Sequence, residues 1–328
     1  MIITRTPFRV SFAGGGSDIA SFYEKHGGCV LSTTINKYMY INVHPSFDKE
    51  KTILKYSKTE IVNDLNKIEH NYFREILKEL DLRGIEVAST ADVPAGTGLG
   101  SSSSFAVGVL HALYSYKSKF VSRERLAKEA CKLEIDILKN PIGKQDQYAA
   151  AYGGLNFYEF RKDGSVIIEP VIMQNDAKEH LEKNLMMFYT GQLHSASKIL
   201  EEQSRNIASG EKVNKQIKMC TLARELRDEL HKNNINSVGE ILNEGWLLKK
   251  TLASGITNPL IDEKYEVAIR NGAIGGKLLG AGGGGFLLFY VPEKYQNHVR
   301  ESIGLPQMKI KFDYQGSSVI YVGEKTES

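Results

Sequence analysis

Hydrophobic and polar residues alternate over much of the first part of the chain, which predicts a β-rich beginning. Alternation with a period of two is typical of half-buried strands, and it covers residues 1–12, 30–43, 52–62 and 85–91. Residues 19–25 instead predict a short helix, with Ser17 or Asp18 as its N-cap. Residues 64–82 carry apolar side chains at helical spacing and predict a second helix that ends near Gly84.

The rest of the chain mixes helical and strand patterns. Helices are predicted over about 102–117 and 122–138, then a turn at 139–146 and a hairpin of 155–160 with 166–173. A polar, charge-rich stretch at 174–183 predicts a boundary between domains at 1–175 and 176–328. Beyond it the pattern predicts a strand at 185–190, a largely helical region at 196–271, strands at 273–279 and 285–291, a helix at 292–303 and strand signals over 309–322. Both kinds of element in each half predict an α+β fold.

Composition narrows the class of protein. Hydrophobic residues make up 41% of the 328 residues and charged residues 25%, as in ordinary soluble globular proteins. A net charge of +3 is too small to suggest a nucleic-acid partner. The three cysteines lack metal-ligand spacing, and neither a signal peptide nor a run of membrane-spanning length is apparent. We therefore expect a soluble cytoplasmic protein without nucleic-acid or membrane partners.

A glycine- and serine-rich stretch at 94–105 is the strongest candidate for chemistry. Gly96, Gly98 and Gly100 allow the backbone to turn several N–H groups toward one point, and Ser101 to Ser104 can cap the following helix. A strand, a glycine loop and a helix N-terminus in this order make a phosphate-binding site. The alternative is a flexible turn before an ordinary helix.

A second glycine cluster, residues 280–285, formally satisfies the dinucleotide-binding pattern G-x-G-x-x-G. That pattern should open a helix, whereas an apolar strand follows here. Two interpretations stay open, a hairpin tip or a loop that closely approaches a ligand or another loop. An oxidoreductase built on these glycines would bind nicotinamide. The chain contains no Walker-type phosphate loop.

Taken together, residues 5–18, 94–102 and 277–285 resemble, in order, the three motifs of the GHMP small-molecule kinases. Within this superfamily, the opening Thr-Pro-Phe-Arg-Val-Ser-Phe-Ala-Gly-Gly-Gly-Ser-Asp and the stretch 140–148 are most similar to the D-glycero-D-manno-heptose 7-phosphate kinases. The resemblance implies a two-domain fold, with a ribosomal-protein-S5-like α/β domain followed by a ferredoxin-like α+β domain.

The resemblance also implies an activity. We expect a kinase that uses ATP and Mg²⁺ and transfers the γ-phosphoryl group to O1 of D-glycero-D-manno-heptose 7-phosphate, working as a monomer or homodimer. Other acceptors of the superfamily, such as fucose, galactose or an isoprenoid alcohol, are the first alternative. A catalytically silent homologue that binds a ligand is the second.

Nucleotide and metal residues can be carried over by position. The loop expected to bind the nucleotide comprises Pro94, Ala95, Gly96, Thr97, Gly98, Leu99, Gly100, Ser101, Ser102 and Ser103. Ser102 matches the serine that binds Mg²⁺, although Ser101 and Ser103 are close to it. Glu134 matches the second metal ligand, and Asp136 is a possible substitute. A plain helix cap for Ser102 and a solvated charge for Glu134 are the structural alternatives.

The catalytic pair implied by the resemblance is Asp146 and Arg9. Asp146 would orient the acceptor hydroxyl and take its proton; since an aspartate is a weak base toward an alcohol, we expect proton transfer late in the reaction. Arg9 would neutralise charge on the transferred phosphoryl group. A buried ion pair between the two is a compatible structural role.

Substrate contacts are expected from Gly15, Gly16, Ser17, Asp18, Lys144, Gly282 and Gly283. Asp18 matches the aspartate with which galactokinase holds sugar hydroxyls, whereas the Glu-His pair of that enzyme is replaced by Gly15 and Gly16, which leaves room for a bulkier sugar. A sugar phosphate needs cations, and the candidates are Lys144, Lys198, Arg205, Lys249 and Lys250. We expect His194 to be non-catalytic. We expect the 280–285 loop to stabilise the glycine-rich loop at 94–105 and to contribute no catalytic group.

Overall fold

The computed structural model describes residues 1–192 and 196–323, except the side chains of Ala196 and Ala208. Its helices are Ala20–His26 (α1), Asn71–Leu80 (α2), Ser101–Tyr116 (α3), Arg123–Cys131 (α4), Gln145–Tyr152 (α5), Asn175–Asn184 (α6), Ala196–Ala208 (α7), Val213–His231 (α8), Ser237–Lys249 (α9), Pro259–Arg270 (α10) and Gln296–Ile303 (α11). A π-helical turn, Lys132–Ile137, directly continues α4. Short 3-10 turns lie at Leu65–Lys67 and Glu293–Tyr295.

The strands form two sheets. They are Ile2–Ala13 (β1), Gly28–Pro45 (β2), Thr52–Lys55 (β3), Thr59–Val62 (β4), Ile85–Ala91 (β5), Leu155–Phe160 (β6), Val166–Pro170 (β7), Leu185–Tyr189 (β8), Gly275–Leu278 (β9), Phe286–Tyr290 (β10), Gln307–Met308 (β11), Phe312–Asp313 (β12) and Ser318–Val322 (β13). The larger sheet runs β13-β1-β2-β5-β3-β4, with β6 and β12 also on β2 and β7 on β6. The smaller sheet is antiparallel, in the order β11-β8-β10-β9.

The long strand β2 organises the larger sheet because it pairs with β1 along its length and divides its other edge between two partners. Residues 28–33 pair with β6, and residues 39–45 pair with β5. The break between them coincides with a register shift at Pro7 and Phe8 of β1. Helix α3 packs against both β1 and β2 and is apolar on nearly all sides, as expected of a helix at the centre of a fold.

A shared core joins the two halves of the chain. One cluster of buried side chains extends from the larger sheet and α3 to α8 and α9, while a second lies between the smaller sheet, α10 and α11. Strands β12 and β13 return from the end of the chain to pair with β2 and β1. Mixed helices and sheets confirm the predicted α+β class. Among the described helices, none is long and apolar enough to cross a membrane.

Several local predictions were wrong. Ile19, rather than Ser17 or Asp18, is the N-cap of α1, and no side chain caps that helix. Gly100 in the left-handed conformation begins α3, so no serine hydroxyl caps it either. The strand predicted at 52–62 is the hairpin of β3 and β4. The polar stretch at 174–183 lies in helix α6 and its N-cap, and the domain boundary placed there stays a prediction.

Candidate active site

A cavity of about 650 Å³ opens between the two halves of the chain. The larger sheet, the glycine-rich loop and the start of α3 form one side, and α7, α8, α9 and the second glycine loop contribute the other. Its wall includes Arg9, Ser11, Gly15, Gly16, Asp18, Met39, Tyr56, His70, Tyr72, Gly96, Gly98, Gly100, Ser101, Ser102, Phe105, Gly143, Gln145, Asp146, Gln203, Met219, Lys249, Lys277 and Gly280. Residues from all three sequence motifs thus meet at one site.

Residues of the glycine loop at 94–105 alternate in direction between Gly96 and Gly100, with glycines toward the cavity and larger residues toward the core. Gly96, Gly98 and Gly100 line the cavity with φ angles of 78°, 81° and 74°, a region that side chains rarely adopt. Thr97 and Leu99 are fully buried between them. The Leu99 carbonyl accepts a hydrogen bond from the Arg9 amide at 3.0 Å, which ties the loop to β1.

The second glycine loop packs directly on the first. A Cβ atom placed on Gly280 would lie 2.4 Å from the Gly98 Cα atom, and one on Gly285 would lie 2.3 Å from the Thr97 carbonyl oxygen. Gly282 faces the backbone of Ile256 in the same way. Backbone therefore lies against backbone here, and any larger residue would push the two loops apart.

Asp146 and Arg9 form a bidentate ion pair at the cavity wall. Arg9 Nε and Nη2 donate to the two carboxylate oxygens of Asp146, each at 2.7 Å, and Nη1 donates to the Gly98 carbonyl. The aspartate lies near the start of α5. A Cβ atom on Gly100 would be only 3.2 Å from Asp146 Oδ2, so the carboxylate faces the glycine loop at contact distance.

Asp18 also lines the cavity and is held by backbone N–H groups. Its carboxylate accepts from the amides of Gly16 and Gln145, both at 3.1 Å. Burial raises the pKa of Asp18, and these hydrogen bonds oppose that rise. Gly143 is required beside it, because a Cβ atom there would lie 2.0 Å from Asp18 Oδ2.

Glu134 lies in the π-helical turn and is fully buried. Its carboxylate accepts hydrogen bonds from Tyr72 Oη at 2.8 Å, Ser103 Oγ at 2.7 Å and Gln147 Nε2 at 2.6 Å. Burial raises its pKa, although all three donors favour the charged form. Glu134 therefore lies behind the cavity wall rather than in it.

The chemistry of these donors suits a hard cation. Mg²⁺ prefers oxygen ligands and is usually held by one or two protein groups together with phosphates and water. Among the described residues, Glu134 Oε1 accepts from Tyr72 only, and Ser102 lines the cavity next to the Tyr72 hydroxyl. The described residues contain no cluster of three or more His, Cys, Asp or Glu side chains that could hold a metal by themselves.

Sequence reasoning missed Lys277 and gave Lys249 no special weight. Both line the cavity and both are nine-tenths buried, with exposures of 6% and 8%. Burial, reinforced by Arg9, lowers the pKa of Lys277 to about 7, and it lowers the pKa of Lys249 well below its usual range. A single lysine within an apolar, glycine-flanked strand was the signal that could have found Lys277.

An aromatic wall near the glycine loop was also missed. Tyr56, His70, Tyr72 and Phe105 lie close together, with His70 and Phe105 ring centroids 5.1 Å apart. Helical periodicity suggested that Phe73 belonged to a helix, but not that its neighbours face a cavity. Burial lowers the pKa of His70, so this wall is apolar in character.

Other predicted site residues lie away from the cavity wall. Ser17 is buried against Cys29, Lys144 donates to the Gly164 carbonyl and covers the Tyr23 ring, and Lys250 pairs with Asp262. The remaining ones that do not line it are Pro94, Thr97, Leu99, Ser103, Glu134, Asp136, Lys198, Arg205, Gly282 and Gly283. His194 lies outside the described residues.

Family models match both halves of the chain. The model described as "GHMP kinases N terminal domain" matches residues 64–154, and the one described as "GHMP kinases C terminal" matches residues 226–304. Among curated proteins, the D-glycero-alpha-D-manno-heptose 7-phosphate kinase of Campylobacter jejuni is 30% identical over 91% of this chain and 92% of its own length. The galactokinase of Pyrococcus furiosus is 26% identical over 96% and 95%.

Solved structures of sugar kinases are also similar to this chain. A D-glycero-D-manno-heptose 1-phosphate kinase from Bacteroides thetaiotaomicron matches with a TM-score of 0.81 and 25% identity, covering 99% of this chain and all of its own. A putative sugar kinase from Campylobacter jejuni matches with a TM-score of 0.76 and 27% identity over 97% of each chain.

Proposed function

Because this chain belongs to the GHMP kinase family, and is thus a phosphotransferase, we propose that its acceptor is a heptose phosphate. The specific proposal is transfer of the γ-phosphoryl group of ATP to the anomeric O1 of D-glycero-D-manno-heptose 7-phosphate. Support comes from the Campylobacter relative, which carries that name and aligns along nearly the whole chain.

One observation carries the proposal: Asp146 and the glycine loop lie side by side in the wall of one cavity. The loop offers N–H groups and a helix N-terminus to the phosphates of a nucleotide, while the carboxylate lies at contact distance from Gly100. An acceptor hydroxyl hydrogen-bonded to Asp146 would stand in line with a γ-phosphoryl group held by the loop. Positioning of this kind supplies much of the catalysis in phosphoryl transfer.

Arg9 has two roles in this arrangement. Its bidentate contact fixes both oxygens of Asp146, so the carboxylate cannot rotate away from the acceptor. Arg9 also lines the cavity beside the glycine loop, where negative charge would move between donor and acceptor oxygens. A fixed cation there stabilises that charge without reorganisation.

We further propose that Mg²⁺ accompanies the nucleotide, with Ser102 and Glu134 as its protein ligands. When bound, the ion would neutralise charge on the β- and γ-phosphates. Tyr72 and Gln147 would hold the Glu134 carboxylate in orientation, since each already donates to it. Burial raises the pKa of Glu134, and the three hydrogen bonds oppose that rise because they favour the charged carboxylate.

The sugar is proposed to lie between Asp146 and Asp18. Asp18 would accept hydrogen bonds from sugar hydroxyls, and its backbone donors keep the carboxylate in place. Gly15 leaves open space beside it, whereas the space at Gly16 is filled by Gln203 from α7, whose amide nitrogen would lie 2.2 Å from a Cβ atom there. This end of the cavity is therefore shaped by both halves of the chain.

An acceptor panel tests the proposal. The purified protein is incubated with Mg²⁺, γ-labelled ATP and D-glycero-D-manno-heptose as its 7-phosphate, its 1-phosphate or the free sugar, and with fucose, galactose and mevalonate. We expect preferred labelling of the 7-phosphate, with the new phosphate on O1. Since the Bacteroides neighbour is named for the 1-phosphate, preference for that acceptor would place the transfer elsewhere on the sugar and refute the O1 assignment.

Three other hypotheses have distinct outcomes, the first two in the same assay. An unphosphorylated acceptor preferred over both heptose phosphates would make this a different member of the family. Complete inactivity of the wild type, indistinguishable from Asp146→Asn, would favour a ligand-binding homologue without catalysis. Nicotinamide binding in a fluorescence titration would support the oxidoreductase reading, which the backbone packing of the 280–285 loop against Gly98 disfavours.

A further inference from the structure

Two lysines of the cavity wall have no negative partner among residues 1–192 and 196–323. Lys249 Nζ donates to the carbonyls of Leu278 and Gly280 at 2.9 and 2.6 Å. Lys277 Nζ donates to the Phe12 carbonyl at 3.1 Å. Neither forms an ion pair with a described carboxylate, whereas Arg9 beside them is paired with Asp146.

Counting N–H groups shows how many hydrogen-bond donors the two lysines have left. A protonated lysine has three N–H donors and no acceptor. Lys249 uses two of them and Lys277 uses one, so three donors are left over at the cavity wall when both are charged. Backbone carbonyls hold each nitrogen in place, which makes these donors preorganised rather than flexible.

Such a pair is costly unless an anion compensates it. Burying an unpaired ammonium group is strongly unfavourable, and the low pKa values of both lysines express that cost. A dianion placed between them would accept the free donors and favour the charged form of both. Charge-assisted hydrogen bonds of this kind are among the strong ones in proteins.

We propose that Lys249 and Lys277 form a binding subsite for a terminal phosphate dianion, on the part of the cavity wall next to Arg9. This inference rests on the proposed function. The dianion has two possible sources, the phosphate that the sugar already carries or the γ-phosphoryl group of ATP. Both present the same three oxygens to the lysines. The chemistry of the subsite is therefore common to them, and the source is a question for experiment.

Direct binding gives the first test. Inorganic phosphate is titrated calorimetrically into the wild type and into Lys249→Met, Lys277→Met and Lys250→Met. Lys250 is the matched control because it neighbours Lys249 on the chain, pairs with Asp262 and does not line the cavity. We expect each of the first two substitutions to weaken phosphate binding at least about tenfold, the loss of one hydrogen bond to a charged group, and Lys250→Met to leave it unchanged.

Proton uptake distinguishes binding from a merely structural role. A dianion raises the pKa of a neighbouring lysine, so binding above pH 7 should draw protons from the buffer. The other titratable or charged groups that line the same cavity are Arg9, Asp18, Tyr56, His70, Tyr72 and Asp146, and the described parts of α7 and α8 contribute only Leu200, Gln203 and Met219. Titrations in two buffers of different ionisation enthalpy should show uptake at pH 8 that Lys277→Met reduces.

The source of the dianion follows from three further ligands. Heptose 7-phosphate, the unphosphorylated heptose and a non-hydrolysable ATP analogue with Mg²⁺ are titrated into the same variants. Selective weakening of heptose 7-phosphate, with the free heptose unaffected, assigns the subsite to the sugar phosphate. Selective weakening of the ATP analogue assigns it to the γ-phosphoryl group.

The inference and the proposed function fail in different ways. If both lysine variants are folded by thermal melting and bind phosphate, heptose 7-phosphate and the analogue as tightly as the wild type, the subsite does not exist, even if the wild type phosphorylates heptose. If no sugar is phosphorylated, the function fails, and the calorimetry with inorganic phosphate still decides the subsite.

Discussion

The contact between the two glycine loops predicts a large effect from a small substitution, Gly280→Ala. Gly280 has a φ angle of 70°, and its missing Cβ atom would lie 2.4 Å from the Gly98 Cα atom. Non-bonded carbons prefer about 3.5–4.0 Å, so the loops must separate by roughly 1 Å or more. The left-handed backbone adds about 1–2 kcal/mol of strain for any residue with a side chain.

Displacement of the first glycine loop should then lower the catalytic rate. A misplacement of about 1 Å can lower the rate about a hundredfold, and Gly98 and Gly100 both border the site where Asp146 faces the loop. We expect Gly280→Ala to lower kcat/KM for ATP by about that factor. Steady-state kinetics at saturating acceptor, beside a urea unfolding curve, provide the measurement.

Gly304→Ala is the matched control for backbone strain. Gly304 also has a positive φ, 63°, at the C-terminal end of α11, but nothing lies within 4 Å of its added Cβ atom. This variant should lose a similar 1–2 kcal/mol of stability and keep the kinetics of the wild type. Equal kinetics in the two variants would refute the idea that the second loop shapes the first.

Three further predictions concern the walls of the cavity. Gly143→Ala would place a Cβ atom 2.0 Å from Asp18 Oδ2; displacement of that carboxylate should raise KM for the sugar at least about tenfold and leave KM for ATP within about twofold, as acceptor and ATP titrations would show. Tyr72→Phe removes one donor from the buried Glu134 carboxylate and should cost about 1–3 kcal/mol of unfolding free energy in urea. Because the folded pKa of Lys277 is lowered to about 7, the unfolded chain binds more protons between pH 7 and the usual lysine value. Wild-type stability should therefore contain a component that rises with pH over that window, which Lys277→Met lacks; parallel stability–pH curves for the two proteins would contradict it.

The local pattern of apolar, polar and glycine residues was sufficient to predict most strands and helices and the positions of the two glycine loops. Spacing of apolar residues predicts helix α2 and the hairpin of β6 and β7, because these elements bury one face in a regular way. It fails for α6, whose sequence is largely polar and whose buried residues are only Leu181 and Asn184. It also cannot show that β12 and β13 return to β2 and β1, since strand pairing across the whole chain leaves no local signal.

The residues of the candidate site likewise fall into those that the sequence identifies and those that only the structure reveals. Arg9 and Asp146 could be named because they stand in motifs with a known order, and the structure brings them together. Lys277 could not be valued from its strand alone, because its importance comes from burial next to Arg9 and from the lack of a described carboxylate partner. Helix capping by serine was a reasonable expectation that Gly100 overrides, since a left-handed residue is needed where the loop turns into α3.

The central claim is that Asp146 acts on a phosphoryl group held by the glycine loop in the same cavity. The most direct measurement is the single-turnover rate of γ-phosphoryl transfer to heptose 7-phosphate in Asp146→Asn, with the Kd of each substrate measured alongside. We predict a rate at least about a hundredfold below that of the wild type, the contribution of a positioned acid–base group, while both substrates still bind. An undiminished rate with both substrates bound would contradict the account.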